Sequence, residues 1–427
     1  MKKQLLLFLF ISTLSVHAVE RVSFEQLRSD WGKYTNHTVQ ITTPLVVCGN
    51  FYDSLILAPE RLFCPEERAL GLADGDSTDF YRLEQQNYEN SICLHCRNQY
   101  YNVRTGDIIQ GLQARVTRER QLLTGKSIRT RHMPADKLPV PKKGELRVVG
   151  ANIENYFADL GGYATKRTTP AQQAMKTRKL TQAIRAMRPD IIAVCEIQVG
   201  SKAPQMLLEA LNKGGAHYAY VAMPMPDLDR IGGCFIYDTK RVRPYKEPLS
   251  AYHNAHDHYH ARMFAQGFEE MASGEKLIVS VNHFKSKRPG RTQYDTNEKR
   301  MQNTDSLLIM LPKAVTMYGD SDILLLGDYN CYTQEQPIQT IVRAGYADLL
   351  PTGGVWDYSY NYKSGAGYLD RCFANPSMAA QVVRVRPWHI NADWYYSHGA
   401  YKLKDKTMHR YADHDPIVVD IKLVSGK

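Results

Sequence analysis

Past its first eighteen positions, the 427-residue chain has no run of about twenty apolar residues, the length a helix needs to cross a bilayer. It has no internal repeat and no long low-complexity tract, so a repeat architecture is excluded. No GxSxG stretch occurs, and no GxxxxGK[ST]. Neither a serine-hydrolase elbow nor a nucleotide-triphosphatase phosphate loop is therefore supported. No obvious amphipathic membrane element is present either.

What is there begins with a processing signal. Lys2 and Lys3 precede the apolar run Leu5 to Ile11, and Val16 and Ala18 supply the small residues of a cleavage site. Residues 1–18 read as a secretory signal peptide, which predicts a secreted or periplasmic protein. No Cys follows Ala18 directly, so a lipid anchor is not indicated. Formal net charge is +10, and +8 without Lys2 and Lys3, which suits polyanionic partners as well as plain solubility. Eight Cys (48, 64, 93, 96, 195, 234, 331 and 372) suggest disulfides in an exported chain. A four-thiolate zinc site at Cys48, Cys64, Cys93 and Cys96 is the weaker alternative, because its spacings are irregular.

At 427 residues, two domains are expected. A short helix is predicted over Ser23–Tyr34, then short strands with Gly-Asp turns to residue 129, which fits a small barrel or sandwich. Residues 130–144, rich in Pro and basic side chains, read as a linker. From 145 to 427, apolar strand runs alternate with helical patterns such as Ala174–Met187, an α/β arrangement. On this reading residues 19–129 are detachable, and a chain lacking residues 19 to 137 should remain competent.

In the second region, apolar runs repeatedly end or begin in residues that can bind a metal or a phosphate. Asn152 closes "VVGAN", Glu196 closes "IIAVCE", His283 closes "IVSVNH", and Asp328 and Asn330 close "LLLGDYN". Asp370 opens one strand, and Asp413, His414 and Asp415 precede another. Singly, each is an ordinary strand-end polar residue; together they predict one rim where strand ends converge. Carboxylates and amide oxygens suit a hard cation, Mg²⁺ or alternatively Mn²⁺ or Ca²⁺, and two His can move protons. That set points to metal-assisted attack of water on a phosphate ester.

The stretches "ANIENYF", "PDIIAVCEIQ", "VNHFKSK", "LLLGDYNCY", "YSYNYKSGAGYLDR", "PWHINAD" and "ADHDPIVV" resemble, in order and spacing, motifs of the endonuclease/exonuclease/phosphatase superfamily. Bacterial secreted nucleases are the nearest subgroup. The resemblance covers about residues 144–423 and implies a two-sheet α/β sandwich; the region before it resembles an OB-type domain, on fewer motifs. It further implies Glu196 as principal metal ligand, with Asn152 and Asp413 completing or supporting the metal site. Asp328 would orient or deprotonate the attacking water, and Asn330 would hold it or the phosphate. His414, paired with Asp370, would face the developing charge, and His283 would be a second catalytic His oriented by Asp229. Arg262, Lys285 and Lys287 would grip substrate phosphate.

The expected activity is that of a nuclease on DNA, RNA or both, with little sequence preference and no obligate protein partner. The alternative is a phosphodiesterase or phosphatase acting on lipid head groups, as a sphingomyelinase does, or on other small phosphate esters. Two features compete for attention. His253, His256, His258 and His260 look like a transition-metal cluster but read better as a polar loop. Trp356, Tyr358, Tyr360, Tyr362 and Tyr368 read as packing residues, with base stacking possible near Asp370.

Overall fold

Alternate residues of the strand Leu146–Tyr156 feed two different cores. Leu146 and Val148 pack between two sheets, while Val149, Ala151 and Ile153 pack against the helices Pro170–Met187 and Lys202–Asn212. The strand Ile323–Asp328 does the same in the other sheet. Leu324 and Leu326 face the space between the sheets, and Ile323 and Leu325 face the helices 296–318 and Gln336–Arg343. Strands buried on both faces are why these segments read as continuous apolar runs. Helix, sheet, sheet and helix thus form four layers, and the expected two-sheet α/β sandwich is the fold. The computed structural model describes residues 19–51, 53–96, 103–162, 165–224, 230–251, 262–288, 296–350, 357–395 and 404–424.

Each sheet has six strands. One runs Tyr218–Ala222, Ile231–Asp238, Ile191–Gln198, Leu146–Tyr156, Ile417–Ile421 and Val382–Pro387. The other runs Val242–Ser250, Met263–Glu270, Lys276–His283, Ile323–Asp328, Asp370–Ala374 and Ala347–Asp348. At the centre of each lies one parallel pair, Val148 beside Ile191 and Ile278 beside Ile323. Gly150 lets the sheets close, because a Cβ there would lie 3.2 Å from that of Leu326.

Residues 20–131 form a separate nine-stranded β-rich sheet. The predicted helix Ser23–Tyr34 is two helices, Phe24–Ser29 and Trp31–Tyr34, broken where Asp30 leaves helical geometry. The helix expected from Ala174 starts earlier, at Pro170, because Thr169 and Gln172 form a reciprocal capping box. All eight cysteines are free thiols, so the expected disulfides are absent. Cys48, Cys64 and Cys96 lie in three separate apolar clusters, which leaves the proposed zinc set dispersed.

The first region is docked rather than tethered. Glu67, on the short helix Pro65–Arg68, is fully buried and accepts from Tyr368 N, Thr333 N (3.1 Å), Thr333 Oγ1 and Arg371 Nη2 (3.4 Å). Arg61 pairs with Asp393 at 3.2 Å and stacks over the Tyr358 ring, 4.2 Å from its centroid. The segment 130–144 is held too: Pro139 O accepts from Arg147, and Asp136 O from Trp388 Nε1 at 3.0 Å. Removing residues 19 to 137 would take Glu67 from Arg371 and Arg61 from Asp393, leaving Arg371 its pair with Asp348.

Glu67→Ala should destabilise the full chain by about 3–5 kcal/mol in urea unfolding, since it leaves a buried guanidinium short of a partner. A second expectation concerns alkaline pH. His389 bridges Asp415 (2.9 Å) and Asp357 (2.9 Å). Burial opposes its charge, but the two carboxylates prevail and push it up to about 10. Its contribution is complete below the unfolded value of about 6.5 and is lost as pH rises through the folded one. Unfolding free energy should fall across that window, and His389→Gln should flatten the fall.

Candidate active site

The convergent rim exists. The first-sheet strands that pass Asn152 and end at Tyr156 and Gln198, and the second-sheet strands ending at His283 and Asp328, open on one edge. Irregular backbone then aims the side chains. Register breaks lie between Asn152 and Tyr156 and between Cys195 and Ile197, so Glu196 sits on a bulge with φ 63°. Asn330 has φ 48°, and Glu154 and Asn155 are left-handed as well. Such conformations cost about 1–3 kcal/mol each and gather where function demands a particular aim.

Asn152 is the hub. Its Nδ2 donates to Glu196 Oε1 (3.1 Å) and to Asp328 Oδ2 (3.1 Å), while its Oδ1 accepts from Glu154 N (2.9 Å). The amide therefore clamps two carboxylates, and its oxygen accepts from the backbone. Glu196 Oε2 accepts from Asn155 N at 3.0 Å. His283 Nε2 lies 3.7 Å from Glu196 Oε1 and 3.7 Å from Asp328 Oδ2. These three offer ligand atoms within 4.8 Å of one another.

Extended geometry does not continue past Asp328. The chain turns, with Asn330 N donating to Asp328 Oδ1 (2.8 Å) and Asn330 Nδ2 to Asp328 Oδ2 (3.1 Å) and Phe284 O (3.1 Å). Asn330 holds Asp328 through the turn rather than by sharing a strand face. Tyr329 points away, its ring buried against Phe284 and Phe373. Gly327 is required at φ 137°, where a Cβ would fall 1.9 Å from Asn282 O.

His414 Nδ1 meets Asp370 Oδ2 at 2.7 Å, as the sequence predicts. Its Nε2 lies 3.9 Å from Asp328 Oδ2 and 4.0 Å from Asp413 Oδ1, and Tyr360 lies against its ring at 4.6 Å. Burial works against its charge, yet Asp370, Asp328 and Asp413 hold His414 well above the ordinary imidazole range. His283 goes the other way: burial, then Arg262 and His414, push it well down. One imidazole is held protonated and the other neutral, the split that separates an acid from a base or ligand.

The carboxylates fit a cation. Burial, reinforced by Asp413, raises Glu196. Burial pushes Asp328 up to about 7 against the pull of His414. Two buried carboxylates held above their usual range on one amide are what a hard cation would relieve. Asp413 behaves differently; despite burial, His414 and Arg410 hold it down.

Arg262 is near enough for its charge to act on both Glu196 and His283. Lys285 lies beside it, although its ammonium donates to Ser286 O, Ser286 Oγ and Arg288 O. Lys287 does not face the rim: it pairs with Glu335 at 2.6 Å and Glu66 at 3.7 Å, between the two regions. Asp229, the four clustered His and Trp356 lie outside the described residues. Asp415 is structural, its Oδ1 accepting from Ile390, Asn391 and Ala392. Sequence reading missed Tyr360 as a ring partner of His414 and Arg410 as a neighbour of Asp413. "HRYADHD" carried the second signal, a cation three residues before the carboxylate.

The Endonuclease/Exonuclease/phosphatase family model matches residues 151–414. The chain belongs to this family of phosphoesterase hydrolases. A search of curated proteins finds no match. Solved structures similar to it include an endonuclease/exonuclease/phosphatase family protein from Bacteroides thetaiotaomicron (16% identity, TM-score 0.47, 66% of this chain and 96% of that one). The human Nocturnin catalytic domain with bound sulfate is another (16%, 0.45, 66% and 95%). A third is D. rerio TDP2 complexed with single strand DNA product (16%, 0.43, 66% and 100%).

His414→Ala should lower turnover of bis(p-nitrophenyl) phosphate by about 10²–10⁴-fold, the range for a positioned proton donor. Circular dichroism should show the fold retained; turnover within tenfold of wild type would remove His414 from the chemistry.

Proposed function

We propose that the chain is an exported, divalent-metal-dependent nuclease that hydrolyses phosphodiester bonds of DNA, RNA or both with little sequence preference. The observation that carries the chemistry is the Glu196, His283 and Asp328 cluster set against the His414–Asp370 pair. A cation held by Glu196 and Asp328, with His283 adjoining, would polarise the phosphate and neutralise charge on it. Mg²⁺ is the first choice for so oxygen-rich a set, with Mn²⁺ and Ca²⁺ as alternatives. Asp328, whose Oδ2 lies 3.7 Å from His283 Nε2, would orient the attacking water beside that cation. His414, held charged by Asp370, faces the developing negative charge; Asn152 and Asn330 keep Asp328 in place.

Nucleic acid as substrate is supported by a formal charge of +10 and by Arg262 and Lys285 beside the rim. Phosphate contacts of this kind give affinity without sequence information. The N-terminal region is read as OB-like. Its strands Thr38–Ile41 and Leu45–Asn50, nearly continuous, bond at one end to Gln113–Val116 and at the other to Ser54–Ala58. The pair Ile92–His95 and Gln121–Leu123 is parallel and closes the circuit. Export rests on residues 1–18, and cleavage after Ala18 is checked by N-terminal sequencing of protein from the culture medium or periplasm.

Purified full-length protein should cut circular plasmid or RNA in Mg²⁺, stop in chelator and resume on adding metal back. Glu196→Gln should reduce cutting at least about a hundredfold. Release of phosphocholine from sphingomyelin with neither polymer cut would replace this reading with the lipid-headgroup one.

A further inference from the structure

A polar cavity of about 180 Å³ opens beside Asp413 and is walled by both regions. Asn50 and Thr105 come from the first; Tyr360, Asn361, Lys363 and Arg410 come from the second. Its position ties it to the chemistry, because Asp413 reaches His414 and Tyr360 covers the His414 ring.

Part of the wall is already committed. Thr105 Oγ1 donates to Asp393 Oδ1 at 2.7 Å, and Asn361 Nδ2 donates to Thr105 Oγ1 (3.1 Å) and Asp393 Oδ1 (3.1 Å). Arg61 neutralises Asp393 from the first region. The floor is therefore satisfied, rigid and close to neutral. Trp394 also lines the space, but His409 stacks on its ring at 4.5 Å and Arg104 lies 4.8 Å from its centroid. Stacking of a base there is disfavoured, and an anionic group suits the cavity better.

Two cations line it as well, one of which, Arg410, also counters the Asp413 carboxylate on the same wall. Lys363 is exposed, at the tip of the hairpin joining Tyr360–Tyr362 to Gly365–Gly367. Arg410 is half-buried, with one long hydrogen bond of 3.4 Å to Asn391 O. Both have left-handed backbones, φ 55° and 59°. Two cations on strained turns, converging on one slot, differ from the scattered surface charge that solubility alone needs.

We propose that this cavity binds the substrate phosphate one nucleotide away from the scissile bond, through Lys363 and Arg410 against the wall that Asn50 and Thr105 supply. The proposal rests on the nuclease reading and deepens it: the first region becomes part of the substrate site. Polynucleotides are then preferred over isolated diesters, and the preference is salt-dependent.

The test compares full-length wild type, Lys363→Ala, Lys363→Arg and Asn50→Asp on two substrates, bis(p-nitrophenyl) phosphate and a single-stranded oligonucleotide. Lys363→Ala should raise KM for the oligonucleotide about tenfold, as expected on losing one charge-assisted contact. Its kcat/KM on the oligonucleotide should fall several times more than on the small diester. Lys363→Arg should restore most of the loss. Asn50→Asp, which adds a repelling carboxylate from the first region, should mimic Lys363→Ala. The slope of log kcat/KM for the oligonucleotide against log salt should drop by about 0.7 in Lys363→Ala. Equal effects on both substrates, or none on either, overturn the subsite while the nuclease reading stands. Wild-type turnover of the small diester with no cutting of DNA or RNA oligonucleotides overturns both.

Discussion

Glu67 and Arg371 are both fully buried, 304 positions apart in sequence, and each makes the other tolerable. A charge left short of a partner in that interior would cost several kcal/mol, so the pair favours the docked arrangement. The pair also lies next to the chemistry. Arg371 follows Asp370, and Glu67 accepts from the backbone of Tyr368, so the strand entering the site is held on both sides of the carboxylate that orients His414. Asp348 completes the neutralisation of Arg371 from within the second sheet. What looks like an accessory region is thus a brace for the catalytic edge.

A second balance operates at the rim. Glu196, Asp328, Asp370 and Asp413 are drawn together where water is scarce, and their mutual repulsion is met by His414, Arg262 and Arg410. The backbone is bent into left-handed conformations at Glu196 and Asn330 to achieve this crowding. Burial, with that repulsion added, raises Asp328 to about 7 and raises Glu196 as well, which a cation would relieve. Cores on both faces of each sheet supply the rigidity that resists relaxation.

The strand "DILLLGDYN" shows how far local pattern reaches. Its apolar run and its Gly follow from sequence, since burial and alternation are properties of neighbouring residues. The route by which Asn330 reaches Asp328 does not, because it depends on a turn that Phe284 O helps to fix. Asn152 reads in sequence as completing or supporting a metal site, and only the fold shows its amide nitrogen bridging two carboxylates from different strands. Lys287 reads as a phosphate contact from its place beside His283, and is instead consumed by Glu335 and Glu66.

By itself the sequence pointed to an α/β arrangement, to the polar ends of its strands and to Glu196, His283, Asp328, Asp370 and His414 as residues of one rim, and the family its motifs resemble implied the two-sheet sandwich. These are encoded in periodicities and motifs a few residues long. Only the tertiary structure decided which atoms face which, that Tyr360 and Arg410 join the site, and that Glu67 and Arg61 lock the first region against it. Those contacts join residues hundreds of positions apart, and a buried charge carries no local mark of the partner that will neutralise it.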